Sequence, residues 1–231
     1  MTHLPREAES IKIEMECIKM KKISALILTF VIAMSLAIPA FAADFKDVPQ
    51  DFWAYGQIQA AVQNGVTNGY ADGCFRPDNP VTNAHFAAYL ARAFYAGEYT
   101  EGGAAPWYNV YTETLNRHGV LDGTTVSGSF ADSINRPMDR YDMARMMYNI
   151  LADKRVELPE QAALDQAQSR IGDWENIPAD CRTAVSACYE LGILRGQANG
   201  CFGGQNMMNR AQACVVVSRL AQVISGAGGS L

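Results

Sequence analysis

The chain has 231 residues, 49% hydrophobic and 19% charged, with a formal net charge of −5. That composition supports a packed core and excludes a disordered chain. The acidic balance excludes a non-specific nucleic-acid binder and a polybasic lipid-surface anchor, both of which need a basic footprint.

Residues 1–19, "MTHLPREAESIKIEMECIK", are polar and mixed in charge. They read as a start-site misassignment, with Met20 as the true start. Residues 20–42 read as a secretory signal peptide. Lys21 and Lys22 precede an apolar run from Ile23 to Ile38, and small residues stand at Ala40 and Ala42, as before a cleavage site. The run is shorter than the ~20 residues a spanning helix needs, so no membrane association is expected after cleavage. Removing residues 1–42 takes away five cations and four acids and leaves a net charge of −6.

Beyond the cleavage point three short stretches share one punctuation: "GVTNG" at 65–69, "GVLDG" at 119–123 and "GILRG" at 192–196. Such internal self-similarity signals a repeat architecture. Twelve residues before the first glycine stand Trp53 and Trp107 in two copies, and Asp180 in the third. A phenylalanine follows each second glycine: Phe75, Phe130 and Phe202. These are expected to pin a loop to the core. Thr82, Asp139 and Asn209 then cap an apolar stretch.

Ile58, Ala61 and Val62 form one helical stripe ahead of Gly65. Phe86, Leu90 and Ala93 form that of a second helix, matched by Met143, Met147 and Ile150 and by Ala213, Val217 and Leu220. The first glycine of each pair fits a left-handed helix end, and the second is expected to turn the chain with positive φ. The unit is a helix–loop–helix, and the fold class is all-α. The organisation reads as repeat 1 at 44–95, a linker at 96–105, repeat 2 at 106–152, a linker at 153–168 with room for a helical turn, repeat 3 at 169–224, and a tail at 225–231.

The second helices open with "TNAH" (82–85), "DRYD" (139–142) and "NRAQ" (209–212), the last a capping-box variant. Arg140 and Arg210 stand directly after their caps, where the helix dipole repels a cation. Asn83 takes that place in the first copy. A cation held at an unfavourable spot calls for a reason.

Five cysteines remain after cleavage: Cys74, Cys181, Cys188, Cys201 and Cys214. The odd number argues against a fully paired disulfide framework, and no Cys-x-x-Cys spacing supports structural zinc. Cys74 and Cys201, in the matching "DGCF" and "NGCF", are expected to be small buried residues. Asp72, Asp78 and Asn79 lack EF-hand spacing and read as solvated turns. No cofactor or metal is expected. Only His85 and His118 follow the signal peptide, no nucleophile sits in a recognisable elbow, and the repeats use up the chain, so an enzyme is not expected.

"FKDVPQDFWAYGQIQAAVQNGVTNGYADGCFRPDNPVTNAHFAAYLARAF", Phe45–Phe94, resembles the S-layer homology (SLH) domain. It carries the opening Phe-x-Asp-Val, the tryptophan, the glycine pair, the Phe-x-Pro loop and the second helix. That family's second helix usually opens Thr-Arg-Ala-Glu, which "NRAQ" approaches, "DRYD" matches more loosely, and "TNAH" has lost. The resemblance implies a pseudo-threefold arrangement around a central helical bundle built by the first helices, with grooves between the copies. It implies a bacterial cell-wall or cell-surface location and binding of secondary cell-wall polysaccharide, often carrying pyruvylated amino sugars. An arginine beside free helix N–H groups would receive the ketal carboxylate, and a tryptophan would stack on the sugar.

Carried over by position, the ligand-binding residues are Arg140, Arg210, Asp47, Asp173, Trp53, Trp107, Gly69, Gly123 and Gly196. Asn83 and Asp180 depart from the pattern, so at most two working grooves are expected. The competing reading is a protein–protein assembly module whose partners are other surface-layer proteins.

Overall fold

The computed structural model describes residues 44–102, 106–127 and 130–227; the start-site and signal-peptide expectations fall on residues 1–42, outside them. Each copy opens with a short helix and closes with a longer one. The first pair is α1 (Tyr55–Gln63) and α2 (Asn83–Phe94), and the second α3 (Asn109–Arg117) and α5 (Arg140–Asp153), with a short α4 (Phe130–Ser133) in its loop. The third pair is α7 (Arg182–Glu190) and α8 (Arg210–Gly226). Helix α6 (Gln161–Ser169) lies between the second and third copies, where a linker with one turn was expected, and packs on α7. Among the described residues pairing between extended segments is limited to isolated bridges, so the fold is all-α.

The glycine punctuation ends the short helices in one way. Gly65, Gly119 and Gly192 all adopt φ between 67° and 69°. Their N–H groups and those of Val66, Val120 and Ile193 reach back to the last turn, for example Val66 N to the Ala61 carbonyl at 2.8 Å. This is the Schellman arrangement, which satisfies carbonyls the helix end would otherwise orphan. The second glycines depart from expectation: of the three, Gly123 alone has a positive φ. Gly69 is required by packing instead, because a Cβ there would stand 2.1 Å from Cε1 of Phe45.

The long helices start as the caps foretell. Thr82, Asp139 and Asn209 accept from the backbone N–H three residues on, and Gln212 completes the box by accepting from Asn209 N at 3.1 Å. Phe75 and Phe202 are fully buried and pin their loops.

The copies close into a ring. Val81 N donates to the Met208 carbonyl (2.9 Å), Met208 N to that of Met138 (3.1 Å), and Met138 N to that of Val81 (2.8 Å). Each of these residues precedes a cap, and all three are buried, so the cycle marks a pseudo-threefold axis. The short helices pack on a neighbour's long helix, α1 on α8, α3 on α2 and α7 on α5. This corrects the expectation that the first helices build the central bundle: the chain just ahead of the second helices meets at the axis, where the residues preceding the caps exchange backbone bonds around the ring.

Of the cysteines, Cys181, Cys188 and Cys214 are buried, whereas Cys74 and Cys201 are only partly so, contrary to expectation; all five are free thiols.

Candidate ligand grooves between the copies

Arg140 and Arg210 are 92% removed from solvent, each with a relative exposure of 8%. Arg140 donates from Nε to the Phe202 carbonyl (2.9 Å) and from Nη2 to the Arg195 carbonyl (2.7 Å). Arg210 repeats this one copy further round, from Nε to Phe75 (2.9 Å) and from Nη2 to Asn68 (2.7 Å). Each guanidinium lies over the phenylalanine ring of the loop it grips, 4.6 Å from Phe202 and 4.3 Å from Phe75. The cation at the wrong end of a helix therefore binds carbonyl oxygens and a π face of the next copy. Among the described residues neither arginine forms an ion pair with an acid.

The helix N–H groups expected to be free are occupied. Arg210 N and Ala211 N donate to Asn79 and Pro77, Arg140 N to Gly204, and Asn83 N and Ala84 N to Arg136 and Ile134. Any anion at these helix starts must be held by side chains.

Asp47 and Asp173 clamp the loops. Asp47 accepts from Phe75 N and Arg76 N at 2.7 Å each, and Asp173 from Phe202 N (2.5 Å) and Gly203 N (2.9 Å). They hold the loops whose carbonyls the arginines grip.

Trp53 and Trp107 are exposed, 60% and 50%, which rules out plain core packing. Trp53 of copy one, Arg140 of copy two and Gly196 of copy three line one cleft of about 470 Å³. That groove thus draws one element from every copy. Two further cations, Arg195 and Arg219, line the same cleft with the polar side chains of Asn206 and Gln212. Burial lowers the pKa of Arg140, an effect Asp173 partly offsets; burial and the neighbouring Arg195 charge lower that of Arg219.

The Arg210 position is filled by the protein itself. Nη1 donates to the Tyr89 hydroxyl at 3.0 Å, the Tyr70 ring lies 5.1 Å from the guanidinium, and Trp107 packs on His85 at 5.3 Å. The third position has Asn83, whose Nδ2 donates to the Ser133 carbonyl at 2.9 Å while its buried Oδ1 finds no partner among the described residues. There Asp180, in place of the tryptophan, pairs with Arg145 at 2.6 Å, and a side chain at Gly123 would run into Arg145 Nη1.

The family model of the S-layer homology domain matches residues 44–87 and 170–214, the first and third copies. Two of the three copies are thus similar to the S-layer homology domain. The middle copy joins them through the hydrogen-bonded ring and the equivalent helices. The "Surface-layer 125 kDa protein" of Lysinibacillus sphaericus is 32% identical over 125 residues, 49% of this chain and 11% of that protein. The "S-layer protein" of Bacillus thuringiensis subsp. finitimus is 27% identical over 135 residues, 55% of this chain and 16% of that one. The "Amylopullulanase" of Thermoanaerobacterium thermosulfurigenes is 26% identical over 184 residues, 77% of this chain and 9% of the enzyme. The chain thus spans only a small part of the relatives it matches. The SLH likeness and the surface-layer relatives point to the cell surface and to anchoring there.

Proposed function

We propose that this chain anchors at the bacterial wall by binding an acidic secondary cell-wall polysaccharide, and that it does no chemistry on it. The observation carrying this reading is the open cleft in which exposed Trp53 stands beside Arg140, with Arg195 and Arg219 along its wall. A flat indole exposed to solvent suits the apolar face of a sugar ring. Arginine suits a carboxylate such as a pyruvate ketal, because its planar fork can give two parallel hydrogen bonds. The chain as a whole is acidic, so a local cluster of cations must select the anionic ligand against the overall field. Within the expected set, Arg140, Trp53 and Gly196 would meet the sugar. Asp47 and Asp173 would shape the loops, and the Arg210–Trp107–Gly69 position would contribute less.

The test is co-sedimentation of the full chain with wall sacculi before and after chemical removal of the secondary polysaccharide. Trp53→Ala is the informative variant, since truncating an exposed ring leaves the core intact. Pelleting that disappears on stripping, and in Trp53→Ala at unchanged Tm, carries the proposal. Equal pelleting with stripped walls overturns it and favours the assembly-module reading, which draws on the two positions closed by the protein's own side chains.

A further inference from the structure

We infer that the open groove takes a glycan segment bearing two negative groups, with Arg195 and Arg219 forming a second anion subsite beside Trp53 and Arg140. This rests on the anchoring reading and deepens it.

Six arginines elsewhere, Arg76, Arg92, Arg117, Arg145, Arg170 and Arg182, have a carboxylate partner within 4.0 Å. Among the described residues Arg195 and Arg219 have none. Arg136 and Arg155 share that lack but do not line the cleft. Arg219 is partly buried and, among the described residues, donates from Nη1 to the Ile193 carbonyl alone, at 3.3 Å. Arg195 is exposed and close enough to depress the Arg219 pKa. Two like charges held together at a cleft wall, without a counter-charge, repel each other unless an anion lies between them.

The other copies supply the contrast. The places of Arg195 and Arg219 are taken by Asn68 and Arg92 in copy one, where Glu101 pairs with Arg92 at 3.0 Å. In copy two they are taken by Asp122 and Asn149, and Asn149 Nδ2 donates to the Asp122 carbonyl at 3.0 Å. Only the copy with the open cleft has two cations at these places, and among the described residues no carboxylate pairs with them. Arg140 lies deep in the groove with two of its nitrogens committed to carbonyls, so one acidic group on the sugar would not neutralise all three guanidiniums. A second group on the same or the adjoining sugar, carboxylate or phosphate, would.

Isothermal titration of the full chain tests this with three probes. They are the methyl glycoside of a pyruvylated N-acetylglucosamine, the same sugar linked to glucuronic acid, and the same sugar carrying a phosphate monoester. The doubly charged probes are expected to bind about tenfold or more tightly than the singly charged one, a gain of the size charge-assisted hydrogen bonds supply. Whichever of them gains more identifies the second group. In Arg195→Gln/Arg219→Gln, whose fold is checked by thermal unfolding, all three probes are expected to bind alike. If singly and doubly charged probes bind the unmodified chain equally, the second subsite is overturned while anchoring stands. If none binds, the anchoring reading falls with it.

Discussion

Tyr89 and Val216 occupy the same place on equivalent helices, α2 and α8, and differ in what they do to the neighbouring arginine. The Tyr89 hydroxyl accepts from Arg210 Nη1 at 3.0 Å and from the Thr67 hydroxyl at 2.6 Å. Burial pushes its pKa up to about 12, so it stays a neutral phenol. Val216 has no polar atom and lines the open cleft, where Arg140 Nη1 meets only the Met208 sulfur at 3.7 Å. Val216→Tyr should place a hydroxyl against Arg140 and fill the groove. Wall binding should fall about tenfold or more, while the urea midpoint holds or rises with the added hydrogen bond, worth about 1 kcal/mol. Unchanged pelleting would show that the ligand lies elsewhere.

Arg140 ties copy two to copy three, so its removal must weaken the ring as well as the groove. Two charge-assisted bonds to carbonyls, one buried and one part-buried, and a π contact are lost in Arg140→Ala. A destabilisation of about 3 kcal/mol is expected from urea unfolding. Arg140→Lys should recover little of it, because a single ammonium cannot span the Phe202 and Arg195 carbonyls as the fork does. Loss of wall binding in either variant therefore counts only beside Trp53→Ala, whose side chain is 60% exposed and carries no such bonds.

Features set by near neighbours in the chain were legible in the sequence. The caps at Thr82, Asp139 and Asn209, the helix-ending glycines and the apolar stripes all follow from spacings of three or four residues. What the arginines bind was not legible, because Phe202, Arg195, Phe75 and Asn68 lie in the next copy round the ring. Arg195 stands in plain view inside "GILRG", yet its place beside Trp53 depends on how the copies close. Helix α6 looks like linker in the sequence because its one buried position, Ala167, leaves almost no apolar stripe. Cys74 and Cys201 do match each other, but at half-exposed loop sites.

Two glycines of the repeated motif should respond differently to the same change. Gly69→Ala would drive a methyl into the Phe45 ring, 2.1 Å away, and overpacking of that kind costs about 1–3 kcal/mol. At Gly196 the nearest atoms to an added Cβ are the Cys201 carbonyl at 3.4 Å and the Tyr189 ring at 3.5 Å, ordinary contacts. Gly196→Ala should stay within about 1 kcal/mol of the parent. Chemical denaturation of the pair checks this, and equal losses would mean that the Phe45 contact is not what Gly69 serves.

His118 caps α3 and bridges two acids, with Nε2 2.8 Å from Glu98 and Nδ1 3.0 Å from Asp153, while its ring lies 4.3 Å from that of Tyr95. Tyr95 also donates to Asp153 at 2.9 Å, Arg117 approaches Glu98 at 4.0 Å, and Lys154 lies over the Tyr95 ring. Burial pulls the His118 pKa down, but the hydrogen bonds to the two carboxylates outweigh it and raise the net value above 6.5. A histidine raised on folding stabilises fully below its unfolded pKa of about 6.5, and that share is lost as pH rises through the folded-state value. The parent chain should therefore lose Tm on going from about pH 6 to about pH 9 relative to His118→Gln, which lacks the titrating ring. A gap between the two proteins that is constant, or that widens with rising pH, would mean that His118 is not charged in the folded state and that the bridge is neutral hydrogen bonding.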